Sequence, residues 1–330
     1  MLQHPLRSLA AITAFGAYVP ERILTNQDLE HMVETTDEWI FQRTGIKERR
    51  IAAEDQFCSD MCFGAVRDLQ LRYGVVLEDV DYVLVATTTP DTYFPSMAAR
   101  VQAEFGIVTC GAADIQAACA GFVSALQMAN GLLLSGAYHK ILVIGAETLS
   151  KATDYADRST CILFGDGAGA MLVERSEDGA FLASYNNTKG SDGHHLYRSS
   201  LSPAIDGVPI QTNGLIVQNG REVYRWAVTT VPKGIQTMME QNSLTLEDIN
   251  WFVPHSANMR IVESVCERTG IPLDHTLTSM REYGNTSAAS IPLALDLALK
   301  EERIKTGDTL LLYGFGGGLT ESALLLRWTL

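Results

Sequence analysis

Leu77-Glu78-Asp79-Val80-Asp81-Tyr82 stands just before the apolar run Val83-Leu84-Val85-Ala86, and Leu246-Glu247-Asp248-Ile249-Asn250-Trp251 stands just before Phe252-Val253-Pro254. The two stretches are separated by 248 − 79 = 169 residues, and the strand-like Ile141-Leu142 recurs as Leu310-Leu311 at 310 − 141 = 169. Two matches at one offset in a chain of 330 residues point to internal duplication. Short apolar runs alternating with helical periodicity make each half an α/β unit with buried strands, and ligands favour the cleft between such units.

Working outward, the strand ending Asp114-Ile115 runs into Gln116-Ala117-Ala118-Cys119-Ala120-Gly121. Phe122, Leu126, Ala129, Leu132 and Leu133 then recur at helical spacing until Gly136. Cys119 therefore sits at a helix N-terminus, where free N–H groups and the dipole favour a thiolate, with small neighbours that leave the sulfur approachable. A buried structural cysteine is the competing reading. In the second half, His255 directly follows the strand Trp251–Pro254, unlike the other histidines. Asn285 lies among Gly284, Thr286, Ser287, Ala288 and Ala289 at the start of a helix expected to run through Lys300; a turn asparagine is its plainer alternative. All three lie at strand ends or helix starts, where side chains from different elements can converge.

Several classes are set aside by composition. A net charge of −14 does not suit a nucleic-acid binder. Six scattered cysteines without paired CxxC motifs suggest neither a metal site nor a disulfide framework and fit a reduced, cytoplasmic protein. Leu9–Val19 reads as a first strand rather than a leader, and no apolar run is long enough for a membrane span. Gly165-Asp166-Gly167-Ala168-Gly169-Ala170 formally fits GxGxxA, but a strand, Met171-Leu172-Val173, follows where a dinucleotide site needs a helix. The helix from Gly220 should kink or end at Pro232. Residues 188–214, rich in Gly, Ser, Asp and Pro, read as a long surface excursion, a kind more often functional than idle.

The segments Asp114–Phe122, Val253–Arg260, Gly284–Pro292 and Gly314–Gly318 resemble the motifs of β-ketoacyl-[acyl-carrier-protein] synthase III, the initiating condensing enzyme of bacterial fatty-acid synthesis in the thiolase superfamily. The likeness continues through Asp37–Ile40, Arg43–Ile46, Phe164–Ala170 and Asn219–Tyr224 and so spans essentially the whole chain. It implies a five-layered αβαβα fold of two duplicated halves, taken here as 1–178 with the cysteine and 179–330 with the histidine and asparagine, in a homodimer. It implies a Cys119–His255–Asn285 triad, an oxyanion hole from the N–H groups of Cys119 and Gly317, and CoA contacts from Trp39, Arg43, Arg158 and Asn258, with Trp39 and Arg158 sandwiching adenine. The acyl pocket would be lined by Phe94, Leu149, Phe164 and Tyr224, and acyl carrier protein met by Arg225, Arg260 and Arg268. The substrates would be an acyl-CoA and malonyl-ACP, with no cofactor or metal.

Three positions depart from common family residues: Ser256 stands where glutamine is frequent, Gln218 where many members are apolar, and Tyr224 where phenylalanine is common. They leave the reaction type intact and bear on the acyl chain, favouring acetyl or short branched starters. A cysteine hydrolase, a non-catalytic acyl-binding scaffold and a related condensing enzyme of specialised metabolism with another extender or acceptor are the rival readings. Free-acid release, stable acylation without turnover, and failure to use malonyl-ACP would mark them respectively.

Overall fold

The computed structural model describes residues 6–330. The strands that build its two main sheets are β1 (Ala10–Tyr18), β2 (Tyr82–Ala86), β3 (Gly111–Ile115), β4 (Lys140–Thr148), β5 (Asp166–Arg175), β6 (Phe181–Thr188), β7 (Trp251–Pro254), β8 (Thr309–Gly316) and β9 (Thr320–Arg327). The helices that matter for the site are α1 (Asp37–Thr44), α2 (Cys58–Tyr73), α3 (Met97–Glu104), α4 (Gly121–Leu134), α5 (Gly220–Asn242), α6 (Met259–Thr269) and α7 (Ser290–Lys300).

One sheet has the order β1-β5-β4-β2-β3, and the other, read from its matching edge, β6-β9-β8-β7. The duplication reaches the hydrogen-bond register. Parallel pairing sets Tyr82 opposite Ile141 in the first sheet and Trp251 opposite Leu310 in the second, and both members have moved by 169 (251 − 82 and 310 − 141). Where β3 pairs with β2, the second half has a single parallel bridge, Phe252 to Thr276.

Helices α2 and α3 cover the outer face of the first sheet and α5 and α6 that of the second, while α4 and α7 lie between the sheets and touch both. Phe122, Leu126, Ala129 and Leu133 of α4 pack with Ile291, Ala294, Leu295 and Ala298 of α7, against Ile141 and Val143 of one sheet and Leu310, Leu312, Leu324 and Leu326 of the other. Each fully buried Leu, Ile or Phe contributes ~1.5–3 kcal/mol by leaving water, so this layer binds the halves into one body. The result is the five-layered αβαβα arrangement.

Three local expectations change. Pro232 does not end its helix: α5 continues to Asn242, because Val223, Ala227, Val228, Val231, Ile235 and Met238 form one buried stripe across the proline. Burial of that stripe outweighs the lost backbone bond, ~3 kcal/mol or more. The GxGxxA stretch is largely the strand β5 itself, with Ala168, Gly169 and Ala170 paired to both β1 and β4 and Gly167 paired to β4. The excursion at 188–214 is ordered: Leu196–Arg198 pairs antiparallel with Ile216–Gln218, and Ala204–Ile205 with Val208–Pro209.

Candidate active site

After β3 the chain turns through Ala118, a non-glycine residue at φ +45, into the 3-10 turn Ala118–Ala120 and then α4. In the second half Ser287 has φ +46 and opens the 3-10 turn Ser287–Ala289, followed by α7. The offset is again 287 − 118 = 290 − 121 = 169. Backbone of this kind costs of order 1–3 kcal/mol per residue and persists where surroundings hold it. Here the two turns pack on each other at the junction of the halves. The nucleophile turn and its counterpart thus meet at one spot.

Above that spot lies a cavity of about 510 Å³ whose lining includes Cys119, His255 and Asn285. Cys119 is 8% exposed and His255 1%. Gly316, the last residue of β8, passes so close that a Cβ there would stand 2.8 Å from the Cys119 sulfur. The N–H groups of Cys119 and Gly317 both favour the charged form of that sulfur.

Burial pushes the Cys119 thiol up to about 12, against the Ser287 hydroxyl and the two N–H groups that favour the thiolate. The helix N-terminus alone led to the opposite expectation. Desolvation is the largest influence on this sulfur and acts against those donors.

His255 is pushed down to about 3 by burial and is neutral at physiological pH. Its Nδ1 lies 2.7 Å from Ser290 Oγ, which also accepts the Ser256 N–H at 3.4 Å. With the Ser290 hydroxyl donating to Nδ1, the ring proton is on Nε2, the tautomer that turns an N–H toward the cavity. Phe315 meets the ring edge-on at 5.4 Å and helps fix its plane.

Asn285 is clamped by its backbone, donating to Leu163 at 2.8 Å and accepting from Gly165 at 3.0 Å. Gly165 is required there, since a Cβ would stand 2.2 Å from the Tyr283 carbonyl oxygen. Asn285 Oδ1 accepts the Ser287 N–H at 2.9 Å, which fixes the amide orientation and leaves Nδ2 as the free donor. A neutral imidazole donor, an amide donor and a thiol thus line one cavity.

Trp39, Arg43, Asn258, Leu149, Phe164, Tyr224, Arg260 and Gly317 also line the cavity. Asn258 caps α6 through Oδ1, accepting from Arg260 N–H at 2.9 Å. Arg158 lies on the Trp39 ring, its guanidinium carbon 4.3 Å from the centroid. A flat ring between them needs a contact of ~3.5–4.0 Å on each face, so a sandwich requires the arginine to swing outward.

Arg158 stacks on Trp39 without itself lining the cavity, and three further expected residues lie apart from it. Phe94 is 86% exposed, because its loop carries it outward from the chain, and it does not line this chain's cavity. Arg225 faces solvent on α5, paired with Glu222 one turn earlier. Arg268 is exposed in the last turn of α6, whereas the cavity meets the first turn of that helix.

Residues not anticipated from the sequence are Leu196 and Arg198 of the ordered excursion, Ile216 of the strand paired with it, Arg221, and the hydroxyls of Ser287 and Ser290. With Arg43 and Arg260, Arg198 and Arg221 form an exposed basic cluster at the cavity in a chain of net charge −14. The 169-residue offset leads to Ser287 once the left-handed turn at Ala118 is visible, since Ser287 pairs with the residue just before the cysteine.

Fold and site together define a thiolase-fold acyltransferase of the condensing type. Residues 113–190 match the family model described as 3-oxoacyl-[acyl-carrier-protein (ACP)] synthase III, and residues 239–328 match that of its C-terminal part. The chain is 56% identical over 323 residues to β-ketoacyl-[acyl-carrier-protein] synthase III 2 of Halalkalibacterium halodurans, covering 98% of this chain and 97% of that one. It is 56% identical over 322 residues to the protein of the same name from Bacillus subtilis, covering 97% and 99%. The crystal structure of the Thermus thermophilus synthase III superposes with a TM-score of 0.92 at 46% identity, covering 96% and 99%. The priming β-ketosynthase of the R1128 polyketide pathway gives 0.90 at 33%, covering 99% and 98%. The chain belongs to the β-ketoacyl-[acyl-carrier-protein] synthase III family.

Proposed function

We propose that this protein performs the initiating condensation of fatty-acid synthesis, joining an acyl group from acyl-CoA to malonyl-ACP through an acyl-Cys119 intermediate. The observation that carries the reading is the electrostatic character of the cavity: a nucleophilic sulfur faces two neutral hydrogen-bond donors, His255 and Asn285, with no lysine or ionised histidine in the triad.

In the first half-reaction the sulfur of Cys119 attacks the thioester carbonyl while the N–H groups of Cys119 and Gly317 receive the developing oxyanion, and CoA leaves. In the second, malonyl-ACP loses CO2, and the electron pair moves onto its thioester oxygen. His255 Nε2–H and Asn285 Nδ2–H donate to that enolate oxygen. Neither needs to take a proton, which suits a carbanion made by decarboxylation. The enolate carbon then attacks acyl-Cys119, giving β-ketoacyl-ACP and restoring the sulfur.

Trp39, Arg43, Arg158 and Asn258 hold CoA, and the basic cluster around Arg260 receives the acidic carrier protein. Leu149, Phe164 and Tyr224 line the acyl end. Residues 1–178 and 179–330 act as the two halves, in a homodimer within the cytoplasm; among the described residues no helix is long and apolar enough to cross a membrane. Gln218 and Tyr224 bring an amide and a hydroxyl to the cavity wall. Covering them with a long alkyl chain leaves polar groups unpaired, so short or branched starters are preferred.

Mass spectrometry after incubation with acetyl-CoA tests the core of this reading: an acyl adduct forms on Cys119 and is absent in Cys119→Ala. An adduct that persists in the variant or maps to Cys110 or Cys161 overturns it. Competition among acetyl-, isobutyryl-, isovaleryl- and decanoyl-CoA tests the starter, and a highest kcat/KM for decanoyl-CoA refutes the wall argument. The likeness to a polyketide priming synthase supports a second reading, specialised metabolism, which failure to condense any starter with malonyl-ACP would favour.

A further inference from the structure

Asn285 can serve decarboxylation only while its amide stays aimed, and the amide hangs on backbone. The Asn285 N–H donates to the Leu163 carbonyl, the Asn285 carbonyl accepts from Gly165, and Phe164 and Asn285 form a parallel bridge between those two bonds. Segment 162–165 is thus the bracket that carries the donor. Ile162, Leu163 and Phe164 line the cavity on its inner side, so its support has to come from behind.

That support is a short ribbon of the first half. Glu48–Arg50 pairs antiparallel with Ile23–Thr25, and residues in and beside it bond to both chains of the bracket. Lys47 N–H donates at 2.9 Å to the Arg281 carbonyl, in the turn that leads to Asn285. Ala52 N–H donates at 2.7 Å to Asp166 Oδ2, just beyond the bracket, while Ser150 N–H donates at 2.8 Å to Oδ1. Between them, Arg49 Nη2 donates to the Ile162 carbonyl at 2.7 Å, and Nη1 reaches Asn26 Oδ1 at 2.9 Å and the Leu24 carbonyl at 3.3 Å. A Cβ added at Gly284 or at Gly165 would stand 3.1 Å from Arg49 Cβ. The arginine is therefore packed against the residue before Asn285 and the one bonded to its carbonyl.

Arg49 is not the residue that packing alone would select. It is 0% exposed, yet all three of its acceptors are neutral, and among the described residues its Nε has no partner. Burying a cation without a counter-charge, and a donor without an acceptor, both cost stability. Burial lowers the guanidinium only to about 10, so it stays charged at neutral pH. What its planar fork does that an apolar side chain cannot is tie separate chain segments through donors in fixed directions.

We propose that Arg49 is a positioning residue for the decarboxylation step, its buried guanidinium holding segment 162–165 so that Asn285 Nδ2 stays aimed at the enolate oxygen. It does not line the cavity and acts through Asn285. The inference rests on the reading of Asn285 as an enolate donor and extends it to the group that holds the donor in place.

The experiment separates the two. Arg49→Met keeps the length of the side chain and removes the fork; Arg49→Lys keeps the charge with a single donor point. Acylation by acetyl-CoA is followed by intact mass, and condensation of the acylated enzyme by release of CO2 from malonyl-ACP, with urea unfolding as the folding control. Arg49→Met should acylate within about threefold of wild type and lose ~10-fold or more in kcat for condensation, since small misplacements of a reacting group are costly. KM for malonyl-ACP should not move, because the bond at stake is made in the transition state. Arg49→Lys should fall between the two. In an Asn285→Ala background, adding Arg49→Met should change kcat by less than about twofold, the sign that both act through one group.

Losses that multiply in the double variant overturn the proposal, as does an equal fall in acylation and condensation, which a merely structural role would give. So does a folded Arg49→Met that condenses at the wild-type rate while Asn285→Ala is impaired. Should Arg49→Met not fold, Arg49→Lys carries the same comparisons; an Arg49→Lys that does not fold makes the residue a part of the fold alone. Asn285→Ala that decarboxylates at the wild-type rate overturns the donor reading itself, and the role of Arg49 with it.

Discussion

Gly316→Ala should silence the sulfur without touching any polar group. A Cβ at 316 would stand 2.8 Å from Cys119 Sγ and 2.9 Å from its Cβ. Non-bonded heavy atoms rest at ~3.5–4.0 Å, so the cysteine side chain must retreat by about 0.7–1.2 Å. Position 316 is the last residue of β8 and is not among the residues in left-handed backbone, so alanine fits its main chain and the cost is steric alone. A displacement near 1 Å in a reacting group costs ~10²-fold, equivalent to ~2.7 kcal/mol of barrier. Overpacking of this kind destabilises by ~1–3 kcal/mol, which a large two-sheet core tolerates.

The assay is rapid-quench acylation by acetyl-CoA with intact-mass detection, beside urea unfolding to verify the fold. Gly317→Ala is the comparator, since its Cβ would meet the Ala118 Cβ at the looser distance of 3.3 Å and leave the N–H in place. The expected order is wild type, then Gly317→Ala, then Gly316→Ala about two decades below. A folded Gly316→Ala that acylates within about threefold of wild type would show that the sulfur has room the structure does not indicate, and the steric reasoning would fail.

His255→Ala and Asn285→Ala should each keep acylation of Cys119 and lose ~10²-fold or more in malonyl-ACP decarboxylation, the scale for removing an oxyanion donor; a variant that condenses normally but no longer acylates would reassign that residue to the first half-reaction. Because His255 is held neutral down to about 3, decarboxylation by wild type should show no acid limb at the ordinary histidine value of 6.5. The same shift has a stability sign: the unfolded chain binds a proton at this position between 6.5 and about 3 that the folded protein refuses, so stability falls as pH drops through that window. Urea midpoints at pH 7 and pH 5 should therefore converge in His255→Gln, and an unchanged pH dependence would refute the assignment.

Much of this was legible in the chain because duplication leaves letters behind where strands enter the core. Leu77–Tyr82 and Leu246–Trp251 repeat as text, and the paired registers of β2 and β7 follow that text. The turns at Ala118 and Ser287 repeat as backbone with few letters in common, so the offset located them only once their left-handed conformation was visible. Cys119, His255 and Asn285 stood out as chemistry at element ends, and all three line one cavity.

What escaped depends on surroundings that no local window carries. The Cys119 thiol is pushed up by burial, which acts against the helix N-terminus. Pro232 is overruled by a stripe packed from elsewhere. Arg49 is fully buried, donating to Asn26 Oδ1 and to the carbonyls of Leu24 and Ile162. Phe94 shows the reverse, a large apolar side chain left exposed.

Since α4 and α7 begin from 3-10 turns that pack on each other, the positive ends of two helix dipoles, about half an elementary charge each, converge from opposite halves. A field made of peptide groups does not titrate. It stays constant while the carboxylates and imidazoles around it change charge, and it persists in a protein of net charge −14. No single side-chain substitution can erase it either. The cavity walls are therefore free to change with the acyl group they must fit, while the part of the site that welcomes negative charge is fixed by the fold.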